Sequence, residues 1–390
     1  MIPFTHWFPA QRVVFGRGSA ADLRAHLEAT GVARPLLVCS ARGRASAPVA
    51  AWSAALPAGS LRIWDRAALH APLEAAIDGA QAARAHGADG IVAFGGGSAS
   101  DLAKGIALAV AEGPDLEPFA LRREQGAITG RQSLAPKLPV IALPTTLSGA
   151  EITPGFSLTR ADAYKLIFRD SALAARLVVL DPALLDGVPR AVLAGSAMNA
   201  LAHCFEALYS RTRTPITSTL ALDGLRRLWT GFDRFLEGGV GGVSAADELL
   251  VGAYLAGSAI VNARTALHHA ICHKLAPLAG LSHGDANALV LPHALAFNLP
   301  ACPAEAVAMA GAMGIATAGA ASASTVAAII AWLGEGVVRV GLRTQLRDTD
   351  LDRRQLPELA QRVFTEPGLA FNPRPIESSA AILELLEGAW

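Results

Sequence analysis

Apolar residues in the first half of the chain fall into short continuous runs that alternate with longer segments of helical periodicity. Such runs are typical of strands buried on both faces, and the segments between them are typical of helices that cover a parallel sheet. The apolar runs are residues 34–40, 60–65, 90–97, 138–146 and 175–181, and the helical segments include residues 72–87 and 98–113. We therefore expect residues 1–184 to form an α/β domain with a mostly parallel sheet.

The pattern changes in the second half, where Ala and Leu recur with helical spacing and few segments are typical of strands. Residues 244–278 show this helical spacing of Ala and Leu most clearly. The pattern predicts an all-α helical domain over residues 185–390. Two Gly- and Ala-rich stretches, residues 237–244 and 310–324, are predicted to connect helices within it.

Composition narrows the class of protein. With 52% hydrophobic residues, the 390-residue chain can bury a large core. Because 33 basic residues balance 33 acidic ones and no basic block occurs, we expect neither nucleic acid nor a membrane as a partner. The four cysteines lack CxxC spacing, the start lacks a signal-peptide pattern, and the apolar runs are too short and interrupted to span a bilayer. We expect a soluble, cytoplasmic protein.

The stretch "AFGGGSASDLAKG" joins an apolar run to a helical segment. Glycines allow the backbone to approach a phosphate closely, and a helix N-terminus offers unpaired amides to an anion. The glycines are Gly95, Gly96 and Gly97, and Ser98 and Asp101 form a pair that resembles a capping box in the first turn. A pyrophosphate cradle and an ordinary glycine-rich turn both fit, and the spacing is not G-x-G-x-x-G.

A second polar turn, "PTTLSGAE", follows another predicted strand and carries Thr145, Thr146 and Ser148. Ligands of open α/β sheets bind at the carboxyl ends of the strands. Two such turns together favour a nucleotide site.

Histidines are concentrated in the helical half. Of the ten in the chain, His268, His269, His273, His283 and His293 fall close together. His269 and His273 share one helical face, and His203 lies four residues after Asn199 on another predicted helix. Imidazoles from several elements can converge on a divalent cation, but histidines can also be satisfied packing residues.

In their order along the chain, these segments resemble the iron-containing (group III) alcohol dehydrogenase family. The resemblance rests on "VVFGRGSAADL", "GGGSASDLAKGIAL", "PTTLSGAEITP", "DPALL", "NALAHCFEALYS", "LHHAICHKL" and "SHGDANALVLPH". It implies a Rossmann-like nucleotide-binding domain followed by a helical domain, the architecture of dehydroquinate synthase. It also implies four metal-ligand positions, which fall at Asn199, His203, His269 and His283, with Asn199 where the family has an Asp.

Finer features resemble the maleylacetate reductase branch, which also has Asn at this position. They are "ALHAPLE", "YKLIFRDSAL", "EALYSRTRTPI" and "NPRPIESSAAILELLEGAW". The branch uses NADH or NADPH to reduce the carbon–carbon double bond of maleylacetate to 3-oxoadipate in aromatic catabolism. The resemblance implies that His203, His269 and His283 line the substrate pocket with Asn199, and that His273 lies near the nicotinamide.

A divalent metal is doubtful because Asn199 replaces the acidic ligand. Hydride addition to an enone leaves an enolate, which hydrogen-bond donors can stabilise without a metal. If a metal binds, His203, His269 and His283 are its expected ligands. The alternatives are a metal-dependent alcohol dehydrogenase or aldehyde reductase of the same family, and a lyase or synthase on the same scaffold.

The expected substrate is a small dicarboxylate or enone, whose carboxylates need cationic partners. Lys165 and Arg169 in "YKLIFRD" are candidates, although a solvated surface pair is equally open, and Arg374 is a weaker one. After the first predicted strand, Ser40 and Arg42 supply no acid to bind ribose hydroxyls, which permits NADPH. We expect a homodimer.

Overall fold

The computed structural model describes residues 3–124, 127–162, 164–239, 243–316 and 323–390. The chain forms two compact units, of which the first is Phe8–Gly187 and the second contains Val188–Trp390. The prediction places residues 3–7 in the first domain, which it ends at residue 184. In the structure these residues belong to the second unit. The backbone of Trp7 explains this, because its N–H donates to Oδ1 of Asn262 at 2.8 Å and its carbonyl accepts from Nδ2 at 3.0 Å.

Strands of the first unit form one large sheet and two small ladders. They are β1 (Arg12–Phe15), β2 (Pro35–Val38), β3 (Arg62–Trp64), β4 (Gly90–Gly95), β5 (Arg122–Glu124), β6 (Ala127–Thr129), β7 (Val140–Pro144), β8 (Gly155–Thr159), β9 (Lys165–Arg169) and β10 (Leu177–Leu180). The large sheet is entirely parallel, in the order β1-β10-β7-β4-β2-β3. The antiparallel ladders pair β5 with β6 and β8 with β9.

Helices of the first unit cover the sheet. They are α1 (Leu23–Thr30), α2 (Ala41–Arg44), α3 (Ala47–Ala55), α4 (Leu73–His86) and α5 (Gly97–Glu112). Each predicted apolar run contains a strand, and the two predicted helical segments correspond to α4 and α5. The predicted α/β class with a mostly parallel sheet is confirmed. Strand β1 was not predicted because it lies at the sheet edge with Val13 and Phe15 partly exposed.

The second unit is helical, which confirms the all-α prediction for this half. Its helices are α6 (Arg190–Tyr209), α7 (Pro215–Gly238), α8 (Val243–Ala263), α9 (Leu267–Leu278), α10 (His283–Asn298), α11 (Pro303–Ala312), α12 (Ala323–Arg339), α13 (Leu356–Phe364) and α14 (Ser379–Gly388). Of the two predicted connections, residues 240–242 and 317–322 lie outside the described residues. Helices occupy the flanks of both predicted connections.

Helix α6 lies in the core of the second unit, and most of its residues are buried. Its length and composition would suffice to cross a membrane, as would those of α8 and α9 taken as one pair bent by 106°. This length differs from the expectation that every apolar run is too short and interrupted to span a bilayer. Within the unit, however, 83% of the apolar window of α6 is buried, as in the core helix of a soluble protein.

Two glycines set the spacing between α6 and α10. A Cβ atom built on Gly195 of α6 would lie 3.0 Å from backbone atoms of Gly284, and one on Gly284 would lie 2.9 Å from Gly195. Only glycine allows the two backbones to approach this closely. Because His283 is the first residue of α10, this contact positions its imidazole relative to α6.

Candidate functional site

The two predicted nucleotide turns lie side by side in the first unit. Strands β4 and β7 pair in parallel so that Gly95 lies opposite Pro144, and the Thr145 N–H donates to the Gly95 carbonyl at 2.9 Å. Each turn leaves the carboxyl end of its strand, where open α/β sheets bind ligands.

The second nucleotide turn packs so closely against the first that the first turn has room only for glycine. A Cβ on Gly96 would lie 2.9 Å from Cγ2 of Thr146, and one on Gly97 would lie 3.3 Å from Cβ and Oγ of Ser148. Helix α5 starts at Gly97, and no side chain caps its N-terminus. Within the described residues, the buried Oγ1 of Thr146 has no hydrogen-bond partner. Uncapped amides beside a free hydroxyl fit a phosphate group.

Asp101 does not form the predicted capping box. The cap residue is Gly96, one residue before the helix begins, and Ser98 lies inside the first turn. Oδ2 of Asp101 instead accepts from the N–H and the Oγ of Ser157, both at 3.1 Å, and burial raises the pKa of Asp101. The prediction was wrong because a strand distant in sequence, β8, competes for this carboxylate.

Lys104 is a buried residue that the sequence analysis did not identify. Its ammonium donates to the carbonyls of Ala150, Thr153 and Gly155 at 2.6, 2.7 and 3.1 Å, and burial lowers its pKa to about 8. Beside it, burial raises the pKa of Glu151 to about 7. Lys104 therefore holds the chain that follows the second nucleotide turn.

The loop after β2 carries cations but no acid. Oγ of Ser40 caps α2 by accepting from the Gly43 N–H at 3.2 Å, and Arg42 is exposed. Arg44 forms an ion pair with Asp65 at 3.4 Å. The structure therefore places Ser40 and Arg42 just after the carboxyl end of β2.

Lys165 and Arg169 are the first and last residues of β9 and point to the same face. Lys165 lies opposite Thr159 of β8. Oγ1 of Thr159 donates to the carbonyl of His70 at 2.6 Å. The backbone of His70 is strained, with φ 62°. Burial and the charge of Lys165 lower the pKa of His70. The weaker candidate, Arg374, lies over the ring of Phe297 with its guanidinium carbon 4.1 Å from the centroid.

In the second unit, the structure brings together the histidines of α6, α9 and α10. The rings of His203 and His269 stack with centroids 4.7 Å apart, and the centroid of His283 lies 6.1 Å from that of His269. His273 lies 6.1 Å from His269 and 6.0 Å from His283. The predicted cluster of four imidazoles is therefore present as a spatial group.

Asn199 contacts this group directly. It is buried one turn before His203 on α6, and its Oδ1 lies 3.2 Å from Nε2 of His269. Burial, together with the neighbouring rings of His269 and His273, holds the pKa of His203 well below its ordinary value. His203 is therefore a neutral imidazole with one N–H to donate.

Glu206 is the second residue that the sequence analysis missed. Its Oε2 lies 2.5 Å from Nδ1 of His269, and its Oε1 accepts from the backbone N–H groups of Ala266 and His269 at 3.0 and 3.3 Å. Burial raises its pKa, whereas these donors and the α9 N-terminus favour the carboxylate. One available signal was an acidic residue within the apolar segment "NALAHCFEAL".

Glu206, His268 and His269 are near enough to one another to resemble a metal site. Their polar atoms are already engaged, because His268 contacts both His269 Nδ1 and the Asn287 carbonyl at 3.2 Å. Burial lowers the pKa of His268 to about 3. We interpret this trio as support for the ring of His269 rather than as a metal centre.

The donor set at the four family ligand positions lacks an acid. Three imidazoles suit zinc, iron or nickel, but the fourth group is the neutral amide of Asn199, and it lies against Nε2 of His269. The set therefore does not fit the family's metal, which relies on an anionic ligand at this position.

Comparisons with known proteins identify the family of the chain. Residues 10–182 match the family "Iron-containing alcohol dehydrogenase", and residues 193–390 match "Fe-containing alcohol dehydrogenase family, C-terminal". The chain belongs to the iron-containing alcohol dehydrogenase family. It is therefore an oxidoreductase, and the family implies dependence on NAD(P)H and a small-molecule substrate.

Individual relatives place the chain with the maleylacetate reductase branch of this family. Maleylacetate reductase 2 of Cupriavidus pinatubonensis is 35% identical over 320 residues, covering 82% of this chain and 80% of its own. The structure of maleylacetate reductase from Agrobacterium tumefaciens is 29% identical, with a TM-score of 0.80 over 100% of this chain and 99% of its own. An iron-containing alcohol dehydrogenase from Corynebacterium glutamicum is similarly close, at 29% identity and a TM-score of 0.82 over 100% and 97%.

Proposed function

We propose that the protein reduces the carbon–carbon double bond of maleylacetate to give 3-oxoadipate in the breakdown of aromatic compounds. The observation that carries this proposal is the Asn199 amide, which lies 3.2 Å from Nε2 of His269 at the position of the family's acidic ligand. The similarity to named maleylacetate reductases supports the same substrate.

The chemistry needs stabilisation of an enolate rather than of an alkoxide. A reduced nicotinamide, when bound, would supply the hydride for one alkene carbon, and residues of this chain would have to stabilise the negative charge that develops on the conjugated carbonyl oxygen. N–H donors held in place before the reaction suit this charge, each contributing about 3 to 4 kcal/mol. We assign that role to His203 and His283 together with the amide of Asn199. His269, whose two ring nitrogens face Glu206 and Asn199, is assigned the positioning of that amide.

We assign the cofactor phosphates to the two adjacent turns of the first unit. The groups that support this assignment are the backbone of Gly95, Gly96, Gly97 and Ser98 and the side chains of Thr145, Thr146 and Ser148. Asp101 is proposed to support this site through β8, because its Oδ2 accepts from the N–H and Oγ of Ser157.

Ser40 and Arg42 are proposed to accept the 2′-phosphate of NADPH, because no acid follows β2 to bind ribose hydroxyls. Arg42→Ala should then raise the KM for NADPH and leave the KM for NADH unchanged. Equal effects on the two cofactors would exclude this role.

Substrate carboxylates are assigned to Lys165 and Arg169, whose side chains share one face of β9. Lys165→Met and Arg169→Met should raise the KM for maleylacetate.

We also propose a homodimer in the cytoplasm, and light scattering during gel filtration tests the assembly.

A metal-dependent alcohol or aldehyde reductase is the second candidate. It is favoured by the three converging imidazoles and by the similar alcohol dehydrogenase from Corynebacterium glutamicum. In that case Asn199 would be a neutral ligand or would hold a water molecule.

The test is to follow NAD(P)H oxidation with maleylacetate and with a panel of short aldehydes, and to identify the product. Formation of 3-oxoadipate with little aldehyde turnover supports the proposal. Aldehyde turnover without reduction of maleylacetate would establish the second candidate.

A further inference from the structure

A buried ammonium joins the helix of the first nucleotide turn to the loop that follows the second. Lys104 is 0% exposed and belongs to α5, the helix that starts at Gly97 in the first turn. Its Nζ donates to the carbonyls of Ala150, Thr153 and Gly155 at 2.6, 2.7 and 3.1 Å. Because a lysine ammonium has three N–H donors, these carbonyls use all of them.

The three carbonyls come from one short loop and converge on a single point. They lie within residues 150–155, between the second turn and the start of β8. The loop bends sharply, with Gly149 at φ 68° and the Ile152 N–H donating to the Gly149 carbonyl at 3.2 Å. Carbonyl oxygens that point at a common centre bind a cation, as in the filters of potassium channels. Lys104 supplies this cation from α5, so it holds the loop and the helix together.

The same loop is in contact with the first nucleotide turn. A Cβ on Gly97 would lie 3.3 Å from Cβ and Oγ of Ser148, and 3.7 Å from Cβ of Ala150. The Ala150 N–H also donates to Oγ of Ser148 at 3.4 Å. The carbonyl that Lys104 binds and the hydroxyl beside the first turn therefore belong to residues two positions apart. A shift of Ala150 would displace Ser148 as well.

Acidic groups favour the charged form of Lys104 in this buried setting. Burial lowers the pKa of Lys104 to about 8, and the nearby carboxyls of Asp101 and Glu151 oppose this shift. Oδ2 of Asp101 is held by the N–H and the Oγ of Ser157, both at 3.1 Å. At neutral pH the group at the centre of the three carbonyls is therefore a cation.

We propose that Lys104 is a positioning residue for the cofactor, whose ammonium serves as a built-in cation that fixes the loop of residues 148–155 against α5 and so sets the spacing of the two nucleotide turns. This inference rests on the proposed assignment of the cofactor phosphates to these turns. Lys104 acts only through the loop, because its three donors are already used. Without it, three carbonyls lose a donor, and the loop must move to reach water or other donors.

The direct test is amide hydrogen exchange, read by mass spectrometry on residues 145–152 with no cofactor present. In Lys104→Ala this segment should exchange at least about 10-fold faster than in wild type. The ion n-propylammonium carries the ammonium and the carbons that Lys104→Ala lacks, and it should restore slow exchange when present during refolding. Tetramethylammonium has no N–H and should restore nothing. Exchange as slow as in wild type would overturn the proposal, and so would faster exchange that n-propylammonium slows no more than tetramethylammonium does.

Lys137→Ala is the matched control in the same unit. The side chain of Lys137 is 3% exposed, its Nζ lies 3.0 Å from Oδ2 of Asp170, and it donates to the Ser133 carbonyl at 3.1 Å. Lys137 precedes β7, whereas the second nucleotide turn follows that strand. Lys137→Ala should therefore destabilise the unit but leave the exchange of residues 145–152 and the binding of cofactor unchanged. The same changes in both variants would show that loss of any buried lysine has this effect, and the proposal would be wrong.

Cofactor binding is the second readout. Calorimetric titration should give a Kd for NAD(P)H about 10- to 100-fold higher in Lys104→Ala than in wild type, by analogy with residues that orient metal ligands. Refolding with n-propylammonium should bring the Kd back towards the wild-type value. In turnover, the KM for NAD(P)H should rise while kcat at saturating cofactor stays near that of wild type, because the loop acts on binding. An unchanged Kd, or a lower kcat with the KM unchanged, would contradict the proposal.

Lys104→Met provides the test if the alanine variant does not fold. Methionine keeps most of the aliphatic stem and removes the ammonium, so the packing of α5 is preserved. Lys104→Met should raise the Kd for NAD(P)H, and n-propylammonium should not lower it, because the stem fills the place of the ion. A wild-type Kd in this variant would overturn the proposal. Wild type that binds no NAD(P)H would count instead against the assigned cofactor site, and the exchange experiment would still decide whether Lys104 fixes the loop.

Discussion

Glu206 and His269 form a fully buried pair in which Oε2 of the carboxylate lies 2.5 Å from Nδ1 of the imidazole. The second oxygen of Glu206 accepts from two backbone N–H groups at the start of α9. One side chain therefore fixes both the ring of His269 and the helix that carries it. The opposite ring nitrogen, Nε2, is thereby directed to Asn199.

Glu206→Gln should destabilise the protein and lower its activity. A carboxamide offers one acceptor oxygen to the three N–H groups that Glu206 now binds, and the loss should be about 3 kcal/mol of unfolding free energy. We expect kcat to fall at least about 10-fold. Chemical denaturation and steady-state kinetics measure the two effects.

Glu248→Gln is the control for this change. Glu248 pairs with Arg227 at 2.9 Å in a partly exposed position of the same unit. Its loss should cost less than about 1 kcal/mol. Similar costs for the two variants would show that Glu206 has no special role.

Gly195→Ala should displace α10. The new methyl group would lie 3.0 Å from backbone atoms of Gly284, which cannot move without shifting His283. We expect a loss of about 1 to 3 kcal/mol in unfolding free energy and a lower kcat. Gly311→Ala on α11 is the matched control, because nothing lies within 4 Å of its added Cβ, and it should be neutral or stabilising. A Gly195→Ala variant as active and stable as Gly311→Ala would contradict the account of this contact.

Glu151 should make stability depend on pH. Its pKa rises from an ordinary value of 4.5 to about 7 on folding, so the folded state binds the extra proton between these values. The contribution of this protonated carboxyl to the unfolding free energy is complete below pH 4.5, and it is lost as pH rises through 7. Lys104, with a pKa of about 8, keeps its charge through this window.

The unfolding free energy of wild type should therefore fall by about 3 kcal/mol more than that of Glu151→Gln across this range. Denaturant titrations at several pH values measure the difference. Parallel pH profiles for the two proteins would show that the carboxyl titrates normally.

The strands of the large sheet that lie in apolar runs could be predicted, and the strands of the β8–β9 ladder could not. Strands β2, β4, β7 and β10 are continuous apolar runs, which a parallel sheet requires. The ladder of β8 and β9 alternates buried and partly exposed residues over five positions each, and so has no such run. Its polar face includes Lys165, whose place in the fold the sequence analysis could not predict.

Within the candidate site, the resemblance located the histidines, whereas their partners depend on contacts distant in sequence. Glu206 meets His269 across 63 positions, and Asp101 meets Ser157 across 56. Local patterns carry no information about such pairs. A single charge inside an apolar helix, as at Glu206 and Lys104, was nevertheless a usable signal, because an unpaired buried charge is too costly to retain.

Asn199→Asp should convert the cluster into a metal site. The substitution restores an anionic group beside three imidazoles, so the variant should retain on the order of one zinc ion per chain after exposure and desalting. Reduction of maleylacetate should fall, because a fixed negative charge opposes the forming enolate. Elemental analysis of Asn199→Asp, wild type and Asn199→Ala tests this prediction. Equal zinc retention by all three proteins would contradict it.

The central claim is that imidazoles and one amide suffice for reduction without a metal. The most direct measurement is the rate of maleylacetate reduction by wild-type enzyme after exhaustive chelation, with residual metal measured in the same sample. We predict an undiminished rate at a metal content far below one ion per chain. Loss of activity on chelation, with recovery when zinc or iron is returned, would contradict the account.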